Sequence, residues 1–382
     1  MRRWLFLFLL ATAVTPGRAQ ISTDTLYEAA IQRGIKHVYN LEFEKAEAEF
    51  ETLIKRQPRH PAGQFFRAMI LWWKIVLDVD NRQYDEEYFA TLDAVVEMCD
   101  SILEQNEDDV NAMFFKGGAI GFEGRLRFHR DDWLAAANAG RKALPLVQQA
   151  SALDPKNYDI YLGTGMYDYY AEVIPNEYPM VKPLLLFIPP GDKKRGLRDL
   201  TIASERGRYA AIETTYFLMQ IYYTYERDFA QALRLALGLH SRFPGNVIFH
   251  RYVGRCHVVM GNYQRAEETF GEIMEKVRDR NRGYTNIVER EAEYYLGLSA
   301  LQLGRHEDAL KHLYRCDELC RTLDSREASG FMTMVNLKIG MVYDLQGRRG
   351  EAVRQYQKVL SMKSFKDTHT QAERYLDTPY AH

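Results

Sequence analysis

The chain contains 382 residues, with 50 basic and 52 acidic side chains, so its net charge is near −2. Apolar residues make up 46% and charged residues 27%, a balance that excludes wholesale disorder and a collagen-like fibre. The near-neutral charge argues against broad nucleic-acid binding, which requires many Lys and Arg side chains facing phosphates. The length suits two or three compact domains or one continuous repeat array.

The N-terminus predicts export. Arg2 and Arg3 precede an apolar run of 11 residues, Trp4 to Val14. The small residues Gly17 and Ala19 stand at positions −3 and −1 of a predicted cleavage site before Gln20. This layout is typical of a secretory signal peptide. A membrane anchor is the alternative, but such a run rises only about 16 Å as a helix, whereas a bilayer core is about 30 Å thick. We therefore expect cleavage of residues 1–19 and an exported protein: periplasmic or in the cell envelope in a Gram-negative bacterium, and outside the cell otherwise.

Four cysteines would remain after cleavage: Cys99, Cys256, Cys316 and Cys320. Cys316 and Cys320 are four residues apart on one face of a predicted helix, so a bridge between them is one possibility. The alternative is that all four are small apolar core residues. No C-x-x-C motif is present, so thioredoxin-type chemistry and c-type haem have no support.

An internal repeat is the strongest signal. Gly stands five residues before Ala at 261–266, 304–309 and 347–352, at intervals of 43 residues. The same frame without the Gly recurs at 41–46 and 227–232. A second Gly stands 12 residues before the Ala in several units. These mid-helix positions are predicted to be close helix crossings: Gly34, Ala46, Gly165, Ala232, Gly254, Ala266, Gly297, Ala309, Gly340 and Ala352.

The joint pattern resembles the tetratricopeptide repeat, a helix–turn–helix unit of 34 residues. The resemblance implies an all-α, right-handed superhelical solenoid, continuous over 20–382. Gly inside a helix costs about 1 kcal/mol relative to Ala, so we expect it where a neighbouring helix leaves no room for a Cβ atom. About eight helix pairs are predicted, with an end cap at 367–380; the pairs are 25–58, 59–108, 109–157, 158–210, 211–246, 247–283, 284–328 and 329–363.

The segment 171–190 interrupts the repeat with five of the 12 prolines. One interpretation is an inserted loop that packs on a neighbouring repeat; the other is a loop that docks a partner or touches a membrane, helped by the basic cluster 193–195. The central part, through 189–197, 253–255 and 261–262, also resembles eukaryotic tetratricopeptide proteins of the inclusion-body-clearance type, which implies little about activity.

No constellation for catalysis is evident. The sequence contains no H-E-x-x-H pair, P-loop, Rossmann fingerprint or G-x-S-x-G elbow. We therefore expect a protein that is not an enzyme and uses no cofactor or metal. The alternative is a cryptic hydrolase or metal site at His250, Cys256 and His257.

In the tetratricopeptide family the first helix of each pair lines an inner groove. Mapping those positions onto this sequence gives candidate partner-binding residues Tyr169, Tyr170, Phe217, Tyr225, Arg251, Arg255 and Tyr294. Arg251 and Arg255 are one turn apart and can together hold a carboxylate. The Lys/Asn set of the family's carboxylate clamp is absent, and about half of the mapped aromatic residues are expected to be core.

The sequence therefore predicts a non-enzymatic scaffold in the cell envelope or periplasm that binds a protein or peptide in its concave groove, and no nucleic acid. The alternative is a membrane-associated accessory protein of envelope assembly or transport that docks through 171–190, with peripheral membrane contact.

Overall fold

A computed structural model describes residues 25–179, 189–324 and 329–381. Within these ranges the chain forms seventeen α-helices and no β-strand. The predicted signal peptide, 1–19, and residues 180–188 of the Pro-rich segment lie outside the described residues. The prediction of an all-α repeat fold is confirmed.

All eight predicted helix pairs are present, and a last helix stands at the predicted end cap. The helices are α1 (Thr25–Tyr39), α2 (Phe43–Arg56), α3 (Ala62–Leu77), α4 (Asp85–Leu103), α5 (Val110–His129), α6 (Trp133–Leu153), α7 (Ile160–Glu177), α8 (Lys193–Arg206), α9 (Ala211–Thr224), α10 (Phe229–Arg242), α11 (Val247–Val259), α12 (Tyr263–Arg278), α13 (Asn286–Gln302), α14 (His306–Leu323), α15 (Gly330–Leu345), α16 (Arg349–Leu360) and α17 (Thr368–Asp377).

The mid-helix glycines mark close crossings within each pair. A Cβ atom on Gly254 of α11 would lie 2.7 Å from the ring of Phe270 on α12. The partner of each such glycine stands four residues after the fully buried Ala of the repeat frame, as Phe270 follows Ala266. In the degenerate fourth pair Gly196 takes the place of that Ala, and a Cβ there would meet the backbone nitrogen of Tyr169 at 2.6 Å.

The turn between paired helices requires a left-handed residue. Gly261, Gly304 and Gly347 take φ values of 74°, 74° and 73° there. In three other pairs the same turn position is held by a residue with a side chain. These residues are Leu41, Asp131 and Arg227, with φ values of 60°, 62° and 52°. The turn geometry is therefore kept without glycine, at a cost of about 1–2 kcal/mol per position.

The chain contacts itself again after four helix pairs. Tyr39 at the end of α1 packs against Phe243, with ring centroids 5.6 Å apart, and Trp73 of α3 meets Phe249 of α11 at 5.6 Å. The side chain of Asn246 donates to the carbonyl of Tyr39 over 2.9 Å. One aromatic core thus joins α1–α5 to α9–α13. The inner faces meet at these aromatic residues, so the expected groove is filled where they touch.

The fourth pair, α7 and α8, stands beside this core and packs on α9 through a small cluster of its own around Tyr169 and Leu200. Helix α7 continues through Pro175 to Glu177, so the connection to α8 begins at Tyr178, later than the predicted start of the insertion. No helix within the described ranges is long and apolar enough to cross a membrane.

Candidate partner-binding surface

A buried ion pair closes the superhelix where α5 meets α9. The guanidinium of Arg125 lies between the rings of Trp72 and Phe217, 4.3 and 4.0 Å from their centroids. Its Nη1 donates to Oε1 of Glu213 over 2.8 Å, and Glu213 also accepts from the hydroxyl of Tyr39. A cation held between two aromatic faces and a buried carboxylate is firmly fixed. Phe217, a predicted groove residue, is therefore a core residue here.

Further along the inner face, Arg251 and Arg255 project from one face of α11 towards Glu291 of α13. Nε of Arg251 lies 3.1 Å from Oε2 of Glu291, and Nη2 of the same guanidinium also donates to Oε2. Nε and Nη2 of Arg255 donate to Oε1 and Oε2, each over 2.5 Å. The Arg251 and Arg255 side chains are 13% and 23% exposed, whereas Glu291 is 1% exposed.

The arginine pair thus holds a carboxylate, as the sequence predicted it could, but that carboxylate belongs to the chain itself. Burial alone would raise the pKa of Glu291, yet the charges and hydrogen bonds of the two arginines outweigh burial and lower the pKa to about 2. Glu291 is therefore ionised at neutral pH. Two guanidinium charges against one carboxylate leave a surplus of one positive charge on a partly exposed surface.

Tyrosine rings continue the surface around the arginine pair. Arg255 lies over the ring of Tyr252 at 5.3 Å, and Tyr223 meets Tyr252 edge-on at 5.4 Å. Tyr295 of α13 stacks on Phe270 at 4.9 Å. Burial raises the pKa of Tyr295, and the charge of Arg255 partly offsets this rise. The Tyr295 phenol therefore stays neutral, and each of these rings presents both an apolar face and a polar tip.

Three predicted residues form one aromatic cluster between α7 and α9. The rings of Tyr169, Tyr170 and Tyr225 lie 5.2 to 6.2 Å apart. Tyr169 is fully buried and donates to Glu226 over 2.6 Å, whereas Tyr170 and Tyr225 are partly exposed. Burial raises the pKa of Tyr225 to about 12. Only the outer two rings of this cluster can meet a partner.

Tyr294, the last predicted groove residue, is 6% exposed and packs between Tyr295 and Phe331, with centroids 5.2 and 5.6 Å away. Of the five mapped aromatic residues, Tyr169, Phe217 and Tyr294 are therefore core. The part that remains accessible is named the concave strip and comprises Tyr170, Tyr225, Arg251, Arg255 and Tyr295.

Ring contacts link some members of the concave strip. Tyr170 meets Tyr225 edge-on at 5.8 Å, and Arg255 lies over Tyr252, which in turn meets Tyr223 edge-on. Sequence reasoning missed Tyr295 and Glu291. Glu291 could have been recognised as an acidic residue at an apolar position of α13, the first helix of its pair. A carboxylate buried at such a position needs a partner of opposite charge or a hydrogen-bond donor.

The alternative metal site is not assembled. His250 stacks on His240 at 4.2 Å, and its Nδ1 lies 3.1 Å from the hydroxyl of Tyr284. Burial raises the pKa of Cys256 to about 12, so this thiol is a poor ligand and nucleophile. In the part of the chain that the structure describes, no group of three or more His, Cys, Asp or Glu side chains could hold a metal ion.

Two segments of the sequence match family profiles described as tetratricopeptide repeat, over residues 31–74 and 335–365. A search of curated proteins found no match.

Several solved structures are similar in fold. A Rap protein complexed with competence and sporulation factor is 11% identical, with a TM-score of 0.45 over 92% of this chain and 96% of that chain. Yeast Tom70 is 11% identical, with a TM-score of 0.39 over 89% and 86% of the two chains. The human IFIT1 dimer with PPP-AAAA is 14% identical, with a TM-score of 0.38 over 84% and 68%.

Proposed function

We propose that this chain, which matches tetratricopeptide repeat profiles over two segments, is a non-enzymatic scaffold whose concave strip binds an acidic segment of a protein or peptide partner. One observation carries the proposal: the Arg251–Arg255 pair keeps a surplus positive charge after Glu291 is satisfied. A partner carboxylate at this point would form charge-assisted hydrogen bonds in a half-buried setting, where such bonds are strong.

The tyrosines supply the rest of the proposed interface. Rigid amphipathic rings give contact area at low entropy cost, and aromatic and Arg side chains dominate the energetics of many interfaces. Tyr170 and Tyr225 pack on each other at 5.8 Å, and Tyr295 of α13 stacks on Phe270. The concave strip therefore suits a segment that carries an acidic residue with apolar residues beside it.

The test compares fluorescent peptides rich in Glu with matched peptides carrying Gln, by anisotropy. Changing only the two arginines would strand the buried Glu291, so the informative variant is the neutral triple Arg251→Gln/Arg255→Gln/Glu291→Gln. We expect this variant to bind the Glu peptide about tenfold more weakly, which corresponds to about 1.4 kcal/mol. The wild type should also prefer the Glu peptide to the Gln peptide, and less so at high salt.

Arg265→Gln is the matched control, because Arg265 lies exposed on α12 and pairs with its neighbour Glu268 over 2.9 Å. It should bind as the wild type does. Equal affinity of the wild type and the neutral triple variant, with both equally helical by circular dichroism, would contradict the proposal.

We also propose that the protein is exported to the periplasm or cell envelope, on the basis of the N-terminal pattern described above. Expression in a Gram-negative host should yield protein in the periplasmic fraction with Gln20 at its N-terminus. Recovery of a chain that starts at residue 1 from the cytoplasm would overturn this proposal, and intact-mass measurement distinguishes the two.

A second candidate function, membrane docking through the Pro-rich segment, has one observation in its favour. Lys194 and Arg198 lie one turn apart on α8, both exposed, and Arg198 Nε lies 3.9 Å from Oδ1 of Asp199. The apolar stretch 184–188 precedes them in the sequence but lies outside the described residues. Two exposed charges attract an anionic surface by about 1 kcal/mol each.

Flotation with phosphatidylglycerol vesicles tests this candidate. Deleting 180–188, or making Lys194→Gln/Arg198→Gln, should release protein that otherwise floats with the vesicles. Equal flotation of all three proteins would rule the membrane role out.

A further inference from the structure

A cleft lies between α12 and α14, the second helices of the sixth and seventh pairs. Its volume is about 610 Å³, which is within the range of small-molecule sites. Helix α13 contributes Glu293 and Leu296, both buried, and forms the floor of the cleft. The lining residues are different from those of the concave strip, so the cleft is a separate surface.

The two walls of the cleft are joined at one end and separate further along. Arg305, at the start of α14, forms an ion pair with Glu267 in the first turns of α12. Beyond this contact, α12 lines the cleft with residues between 271 and 278, and α14 with residues between 311 and 315. The walls are long, because α12 and α14 have 16 and 18 residues against 14 in α10. The cleft therefore extends well past the ion pair.

Gly271 keeps the α12 wall open. Glycine in the middle of a helix lowers its stability relative to alanine, so its presence there calls for an explanation. At Gly254 the explanation is steric, because a Cβ atom would lie 2.7 Å from the ring of Phe270. At Gly271 no heavy atom of the described residues lies within 4 Å of that position. A side chain there would instead occupy part of the cleft, which Met274 and Leu296 line with apolar surface.

Two ion pairs fix the polar side chains of the α14 wall. Nδ1 of His312 lies 2.6 Å from Oε2 of Glu293, the carboxylate at the floor. Nε and Nη2 of Arg315 donate to Oε1 of Glu289 over 2.9 and 2.7 Å. The His312 ring and the Arg315 guanidinium are held in place by these bonds, and the buried carboxylate of Glu293 is satisfied within the protein.

Lys311 differs from the other charged residues of the walls. It is exposed on α14, and no carboxylate among the described residues lies within ion-pair distance of its ammonium. On the opposite wall Arg278 is 70% exposed and lies 3.9 Å from Glu275, beyond hydrogen-bond distance. The lining residues thus carry three cations, with Arg315, against the two carboxylates of Glu275 and Glu293. The surplus is one positive charge above an apolar floor.

We propose that this cleft binds a small organic monoanion with an apolar body, such as a medium-chain carboxylate. The apolar body lies over Gly271, Met274 and Leu296, where it is removed from water. The anionic group lies at Lys311, whose ammonium can donate to it without breaking an internal ion pair. The site uses no residue of the concave strip, so it is independent of peptide binding there.

The test uses the full-length protein and the fluorescent dye anilinonaphthalene sulfonate, an anion with an aromatic body, which octanoate then displaces. Octylammonium has a chain of the same length and the opposite charge, and it should displace the dye about tenfold less well. Lys311→Glu should reverse this preference. Octanoate that displaces the dye no better than octylammonium, or a preference for octanoate that Lys311→Glu leaves unchanged, would overturn the proposal.

Two leucine variants locate the site. Gly271→Leu fills the cleft and should weaken octanoate binding about tenfold. Gly238→Leu is the matched control, because Gly238 lies within α10, has equally open space at its Cβ position and does not line the cleft. This control and the neutral triple variant of the concave strip should bind octanoate as the wild type does. Equal binding by the two leucine variants, with both equally helical by circular dichroism, would contradict the proposal.

Discussion

At the scale of single residues, several side chains in the interior are kept neutral by burial. His250 is 1% exposed, and burial, with the charges of His240 and Lys276, lowers its pKa to about 3. In an unfolded chain the pKa of His is near 6.5. Below this value the unfolded state takes up a proton that the folded state refuses, so stability falls as the pH falls from about 6.5 towards 3.

This gives a prediction for acid sensitivity. At pH 5 the loss from His250 alone amounts to about 2 kcal/mol relative to pH 7.5. Urea unfolding at a series of pH values measures it, and His250→Gln, which can still bind the hydroxyl of Tyr284, should flatten the curve between pH 6.5 and 5. Glu291 does not contribute in this window, since its folded pKa is about 2 and its stabilisation is lost only at pH values below about 4.5. Parallel curves for the variant and the wild type would show that His250 is protonated in the folded state.

The turn residues give a second prediction. Arg227 is exposed and held at φ 52°, a conformation that glycine adopts without strain. Arg227→Gly should raise the free energy of unfolding by about 0.5–1 kcal/mol, whereas Gly304→Ala at the equivalent turn should lower it by about 1 kcal/mol. A loss of stability in both variants would mean that the positive φ of this turn does not decide which residue is stable there.

At the scale of the helix pair, steric contact between two helices decides which glycines matter. Gly254 lies against Phe270, but Gly271, one residue further on α12, has no heavy atom within 4 Å of where its Cβ would stand. The two glycines belong to the same pair and differ only in this contact. They form a matched test of the close-crossing account.

Gly254→Ala should therefore destabilise the protein by about 1–3 kcal/mol through overpacking. Gly271→Ala should stabilise it by about 1 kcal/mol through helix propensity. Chemical unfolding followed by circular dichroism gives both values. Opposite signs are the essential result, and two losses of similar size would show that the helices repack freely.

Much of the helix-pair level could be predicted from the sequence, because the Gly and Ala spacing records a local steric requirement that recurs in each pair. The sequence pattern did not reveal Gly196, because the fourth pair has Gly where the other pairs have the Ala of the frame. The Pro-rich insertion also interrupts the turn between the two helices of that pair. The arginine pair could be placed on one face from spacing alone. Its partner Glu291 lies 40 residues away from Arg251, beyond the reach of helix periodicity.

At the scale of the whole molecule, contacts of the first three pairs with the fifth and sixth pairs fix the superhelix. Repeat periodicity specifies neighbours, but it does not specify the pitch, so Arg125 and Glu213, 88 residues apart, gave no sequence signal as partners. Their ion pair, with Trp73, Phe249 and the cap Asn246, holds the two turns together. We propose on this basis that the array is one continuous unit.

Removing one partner of that ion pair should lower the free energy of unfolding substantially. Among the described residues, Arg125→Met leaves the buried Glu213 carboxylate with the hydroxyl of Tyr39, and we expect a loss of about 3–5 kcal/mol in urea unfolding. The double variant Arg125→Met/Glu213→Gln removes both charges and should recover a large part of this loss. If the double variant were as unstable as the single one, packing of Arg125 rather than its charge would be responsible.

The concave strip is the central claim, and hydrogen exchange of the full-length protein with and without a saturating Glu-rich peptide tests it most directly. The account predicts slower exchange in α11 and α13, around Arg251, Arg255 and Tyr295, and no change in α8 or α14. Protection confined to α8, or to the outer helices α12 and α14, would contradict it and place the partner on another face.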